Sequence, residues 1–339
     1  MNTFFIENED TTTETTKVVT STWSNNTNEL TSVFTSSAQF STALTLAGTS
    51  SGAFFIDVHN DATTSSIQYS VAYGHKAGSG SVLFNASALG FSPSSVVYNQ
   101  YRQLVFGDST TNFSFNGYTP DDIHVININR SRYKHNLKAG SLNLTLSGSA
   151  VAALHLTDDS TSTTGSAVFT NAGRQFNLVS GSNGIRIGSN LTANHPADSG
   201  SYGLYYPDSG FIILNPAAVD HHIPITPGVT SNNADHNHMK LVNSIASGSS
   251  FIVDSEESVS SKYYFARVKN TQFNYSTNPT FRDSNGNLVY SDMEQNPKVY
   301  ITTVGLYDTP GNLLAVAKLS QPITKEFSKE ALIRIKLDY

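Results

Sequence analysis

The densest group of possible metal ligands is Asp220-His221-His222, followed by Asp235-His236-Asn237-His238. Imidazole and carboxylate in that density suit a transition metal. If Asp235 opens a helix, however, His236 and His238 point about 200° apart and His238 turns toward the core. The pair then chelates one ion only from an extended segment, or as a His-x-His pair repeated by three subunits. A polar loop with a core-facing histidine is the simpler expectation. In Asp283-Ser284-Asn285-Gly286-Asn287, with Ser291 and Glu294 at the ninth and twelfth positions, the oxygens are spaced as in a calcium loop. Leu288 holds the sixth position, where the sharp turn needs glycine, and Asn285-Gly286 instead predicts a type I′ hairpin turn. No metal or cofactor is therefore expected, and His236, His238, Asp283 and Glu294 stand as the candidates against that expectation.

Other chemistry thins out in the same way. Gly74-His75-Lys76-Ala77-Gly78-Ser79-Gly80 looks like a phosphate loop but lacks the G-x-x-x-x-G-K-[ST] order and a following helix, so a flexible loop is expected. Asp121-Asp122 and Asp158-Asp159 are the acid pairs a glycosidase would use, and adjacent acids among Ser and Thr predict solvated turns. The basic stretch Arg130, Arg132, Lys134, His135 and Lys138 holds one aromatic, Tyr133, which favours an intersubunit salt-bridge surface over nucleic-acid contact. Absence of Cys excludes a thiol enzyme, a Cys zinc site and a disulfide scaffold. A net charge of -6 gives no attraction to phosphate backbones or anionic lipid, so neither direct nucleic-acid binding nor a membrane anchor is expected. The first residues show no signal-peptide pattern, and the N-x-[ST] triplets at Asn85, Asn143, Asn190 and Asn274 then carry no glycan.

The elements that hold these residues alternate with period two, the pattern of strands. Ile67, Tyr69, Val71 and Tyr73 share one face, as do Leu142, Leu144 and Leu146, and Pro207-Asp208-Ser209-Gly210 joins Tyr202–Tyr206 to Phe211–Leu214 as a hairpin. Two helices interrupt the strands. One follows Ser92-Pro93, with Val97, Tyr101, Leu104 and Val105 on its buried face and Gly107 as its stop. The other runs from Asp235 to Gly248, with His238, Leu241, Val242 and Ile245 inward. Further strands are expected at Tyr263–Val268, Asn287–Tyr290, Val299–Tyr307, Leu313–Leu319 and Ala331–Tyr339. The fold class is mainly β, with antiparallel sheets or sandwiches, two short helices and an extended N-terminal arm. The arm covers residues 1–50, rich in Ser and Thr with Trp23 as an anchor. A central β domain covers 51–250, and a C-terminal β module covers 251–339.

The tail sequences Asn296–Tyr307 (NPKVYITTVGLY), Leu313–Ser320 (LLAVAKLS) and Lys329–Tyr339 (KEALIRIKLDY) closely resemble the C-terminus of virion structural proteins of large contractile-tailed bacteriophages, notably those of marine cyanobacteria. Further matches lie in Ser70–Ser81, Tyr101–Phe106, Asn129–Gly148, Tyr202–Leu214 and Phe265–Asn278, so the resemblance covers most of the chain after Ser51. It implies a structural subunit of the virion, assembled in the host cytoplasm with other virion proteins and as a homo-oligomer, without catalytic residues to carry over. The hairpin ITTVGLY…LLAVAKL is similar to modules that attach tail-fibre and baseplate components, which favours tail or baseplate over neck or head exterior. The expected interface residues are Tyr300, Ile301, Val304, Leu306, Leu314 and Val316 on the hairpin, and Ile333, Ile335, Leu337 and Tyr339 on the last strand. A surface of Ser, Thr and Asn costs little to desolvate and suits permanent interfaces. Two rival classes remain: a carbohydrate-binding receptor whose 16 Tyr and one Trp stack on sugars, and a glycan-degrading enzyme built on Asp121 and Asp158.

Overall fold

The computed structural model describes residues 11–24, 27, 29–30, 55–59, 66–78, 94–148, 152–162, 167–187, 201–230, 234–276 and 278–338. Ser92-Pro93, Asn85, Asn190, Tyr339 and most of segment 1–50 lie outside the described residues. Strands β1 (Thr11–Ser21), β2 (Glu29–Leu30), β3 (Phe55–His59) and β4 (Ile67–His75) precede helix α1 (Ser94–Phe106). Then come β5 (Asp122–Ile128), β6 (Asn136–Leu137), β7 (Asn143–Leu146), β8 (Leu154–Asp158), β9 (Val168–Thr170), β10 (Gly173–Ser182), β11 (Ile185–Arg186), β12 (Gly203–Tyr206) and β13 (Phe211–Leu214). Helices α2 (Pro216–Val219) and α3 (Asn237–Gly248) lead to β14 (Phe251–Ile252) and β15 (Asp254–Val268); α4 (Asp292–Gln295), β16 (Val299–Tyr307), β17 (Leu313–Lys325) and β18 (Ala331–Asp338) complete the chain. The protein is mainly β and antiparallel, with four helices among the described residues. None of the described helices is long and apolar enough to cross a membrane.

The chain packs as two units, residues 18–257 and residues 1–17 with 258–339. Composition alone suggests the three segments 1–50, 51–250 and 251–339; instead, most of β1 groups with the C-terminal strands.

In the larger unit one curled sheet runs in the order β2-β14-β7-β8-β10-β12-β13-β5-β4-β3, with β9 and β11 also paired to β10. Its central strands are covered on both faces, which is why β12 and β13 read as unbroken apolar runs. Alternate side chains enter two separate cores. Tyr205, Ile212, Leu214, Ile126 and Ile128 join one, together with Leu241, Val242 and Ile245 of α3. Leu204, Tyr206, Phe211, Ile213, Ile123 and Val125 join the other, under Val97, Tyr98, Tyr101 and Val105 of α1. Each such side chain contributes about 2 kcal/mol by leaving water. Leu104, expected on the buried face of α1, is 43% exposed. Arg102 goes inside instead, over the Tyr98 ring and bonded to Asn112 Oδ1 and the Ser109 carbonyl. Gly107 ends α1 at φ 74, and its N–H donates to the Gln103 carbonyl. Trp23 anchors its segment, donating from Nε1 to the Phe251 carbonyl at 2.8 Å against the rings of Tyr69 and Phe251.

In the C-terminal unit β15 lies between β1 and β18, and β16 and β17 form a separate two-stranded sheet. Asn287–Tyr290 is not the expected strand. Leu288 makes a single bridge to Arg282, and α4 follows at Asp292.

Candidate functional site

Asp235 (φ 47) and His236 (φ 54) both take left-handed backbone, so α3 opens at Asn237, two residues later than expected. The rings of His236 and His238 are therefore not splayed to opposite sides; their centroids lie 6.5 Å apart. His238 is 1% exposed, and neither of its ring nitrogens finds a hydrogen-bond partner. Burial pushes its pKa down to about 4, with the charge of His236 adding to the effect. His124 on β5 is 0% exposed and, for the same reason and with His238 facing it, lies at about 3. His221 is exposed, and His222 meets the Ala152 carbonyl through Nδ1 at 3.1 Å. Among the described residues no three His, Asp or Glu side chains gather as a metal site.

The carboxylate of Asp283 accepts the N–H groups of Asn285 and Asn287 and the Asn287 side-chain amide. Those internal bonds hold its carboxyl below the ordinary carboxylate range. Only Gly286 in this loop has positive φ, so the turn is a three-residue loop closed by the Asp283 N–H on the Asn287 carbonyl, not type I′. Asp308-Thr309-Pro310-Gly311-Asn312 repeats through Asn312 the bonds made with Asn287, but not the Asn285 N–H bond, which Pro310 cannot donate; Gly311 lies at φ 94. The shared pattern D-x-x-G-N is a loop-closing device, and Glu294 belongs to the separate short helix α4.

Neither acid pair is a solvated turn. Asp122 is 2% exposed; it accepts Tyr73 Oη at 3.0 Å and the Gly228 N–H at 2.7 Å, and burial raises its pKa. Asp121 is exposed and forms an ion pair with Lys76 at 2.5 Å. Asp158, 0% exposed, accepts the Gly140 and Ser160 N–H groups, while Asp159 accepts from Asn177. All four acids are thus tied to other groups of the chain. The phosphate-like stretch is also structured through residue 78: Gly74 and His75 end β4, and Gly78 donates to the His75 carbonyl. At Gly74 a Cβ would stand 2.7 Å from the Tyr98 backbone nitrogen, so glycine there lets α1 approach the sheet. In the basic stretch Arg130 donates to the Tyr133 carbonyl and lies over that ring, and Arg132 donates to Ser24 Oγ.

What distinguishes the molecule is apolar surface on the β16–β17 hairpin. Val299, Ile301, Val304 and Leu306 of β16 are half-buried, and they share a face despite the change of phase at Thr302-Thr303. Opposite them stand Ile323, Ala317 and Ala315, paired with Ile301, Val304 and Leu306. Outside that face Tyr300 (62%), Leu313 (53%), Leu314 (69%) and Val316 (57%) are exposed. Comparison with protein-family models, curated proteins and solved structures returns no match.

The last strand behaves differently from the hairpin. β18 pairs along its whole length with β15, from Ala331↔Val268 to Asp338↔Ser261. Ile333 and Ile335 are buried at 5% and 7%, Leu337 is half-buried, and Leu332 on the other face is 66% exposed. Of the expected interface residues, Tyr300, Leu314 and Val316 are exposed, Ile301, Val304 and Leu306 are half-buried within the hairpin, and Ile333 and Ile335 are consumed by the chain's own sheet. Lys325, unremarked in the sequence, is fully buried at the end of β17, with Nζ donating to the Asn270 backbone carbonyl and to Asn274 Oδ1; burial lowers its pKa. Leu313, Tyr307 and Phe327 are exposed apolar residues that strand alternation alone did not single out.

Proposed function

We propose that this chain is a structural subunit of a tailed-bacteriophage virion, in the tail or baseplate, built into the particle through its C-terminal unit. The tailed-phage setting rests on the sequence resemblance of the tail segments. The assembly role rests on one observation, the hairpin whose apolar side chains face solvent on one side and are half-covered on the other. A two-stranded hairpin is marginal by itself in water, and contiguous exposed apolar surface marks an interaction site. In this role the protein works in the virion beside other structural proteins and copies of itself, needs neither cofactor nor catalytic group, and makes no direct nucleic-acid contact. The neck or head exterior would use the same chemistry.

The test is complementation of a phage lacking this gene with Leu314→Asp/Val316→Asp. The variant is expected to fold, by far-ultraviolet circular dichroism, and to be absent from purified particles, with infectious titre lost. Particles that carry it at parental stoichiometry would remove the hairpin from assembly. Exposed Tyr275, Tyr290, Tyr300 and Tyr307 favour one second reading, a glycan-binding receptor, because tyrosine stacks on sugar faces. Binding of the isolated protein to a host-glycan array, abolished by Tyr300→Ala, would establish it.

A further inference from the structure

Resting on the assembly role proposed above, we infer that β16 is the strand through which two copies of this chain meet: its open edge pairs antiparallel with β16 of a second copy about a two-fold axis at Thr302 and Thr303. The edges of the C-terminal unit differ in what guards them. Among the described residues β1 and β18 each pair only with β15, and β16 pairs only with β17. β1 carries Glu14 and Lys17, and β18 carries Arg334, Lys336 and Asp338. β17 carries the exposed Lys318, and its ladder is broken between Lys318 and Ile323, around Pro322. Charge, proline and irregularity are the means by which proteins keep an edge from pairing. β16, Val-Tyr-Ile-Thr-Thr-Val-Gly-Leu-Tyr, has none of the charges and no proline.

The occupant follows from symmetry. In a two-fold antiparallel pair a strand meets its own reverse, so a charge near the axis faces its own copy. β16 puts two threonines there. Its faces are also symmetric about that point: because the phase changes at Thr302-Thr303, reversal carries Ile301 onto Val304 and Val299 onto Leu306, half-buried face on half-buried face. Tyr300 falls opposite Gly305, beside the Tyr307 ring and Leu313, which lie where a Cβ of Gly305 would stand. The ladder is interrupted at the axis, as it already is against β17. The product is a four-stranded sheet with β17 of each copy outside, past the two-stranded limit of stability.

Absence of Cys from the chain makes the test clean. Sedimentation of the full chain is expected to show a dimer. Thr302 is exposed and has no cross-strand partner in its own hairpin, so Thr302→Glu and Thr302→Lys should each be folded and monomeric, and their equimolar mixture should dimerise again. On oxidation Thr302→Cys should form a disulfide dimer and Ser320→Cys, on β17, should not. A parent that stays monomeric, a dimer that survives Thr302→Glu, or preferential crosslinking through Ser320→Cys would overturn the inference. Particle composition separates this from the proposed role: protein present in particles but monomeric in solution defeats only the self-pairing. A dimer lost in Thr302→Glu, from a protein absent from particles, defeats only the virion role.

Discussion

His124 and His238 put two neutral imidazoles in the interior, and their pKa values of about 3 and about 4 lie below the ordinary 6.5. The folded state therefore binds fewer protons than the unfolded chain, so stability is complete above pH 6.5 and falls as pH drops toward those folded values. At pH 5 each histidine costs about 2 kcal/mol relative to pH 7. Asp122 and Asp158, raised by burial, act with the opposite sign as pH falls through their folded values. The comparison that isolates one histidine is His238→Leu against the parent, by urea unfolding at both pH values. The variant should lose about 2 kcal/mol less between pH 7 and pH 5; equal losses would mean that His238 is already protonated when folded. His238 was legible in the helical spacing of His238, Leu241, Val242 and Ile245. Asp122 was not, because its partners Tyr73 and Gly228 lie 49 and 106 residues away along the chain.

Strands were legible at the scale of elements wherever one face is buried, as in β7 and β18. What escaped was local chemistry that imitates another element. Asn285-Gly286 suggests a hairpin turn with a strand after it, yet the Asp283 carboxylate closes a wider loop and the chain goes on into α4. Ser320-Gln321-Pro322 looks like the end of a strand, but β17 continues past it to Lys325 because the broken ladder accommodates the proline. The two faces of β18 make a graded prediction. Ile335→Ala should cost about 2–3 kcal/mol by opening a space beneath the strand, while Leu332→Ala, on the 66% exposed side chain, should stay within about 0.5 kcal/mol. Chemical denaturation of the two variants measures both. A large loss for Leu332→Ala and none for Ile335→Ala would invert the assigned faces.

At the scale of the whole molecule, separate units at residues 18–257 and at 1–17 with 258–339 argue against a single cooperative transition. Calorimetry should give a measured unfolding enthalpy larger than the van't Hoff value, and Ile335→Ala should move one component while leaving the other in place. Coincident enthalpies would show one cooperative block. The mainly-β class was readable from periodicity, but this division was not, because nothing in a Thr-rich stretch specifies that Thr11–Ser21 pairs with β15. That pairing also sets an order in time. During synthesis β1 leaves the ribosome before its partner β15, which appears only after the intervening residues 22–253. The larger unit can settle while β1 waits unpaired, and the unit that carries the exposed hairpin closes last. Because β16 follows the larger unit along the chain, the strand proposed to pair with a second copy is made only after residues 18–257, which have by then had time to fold.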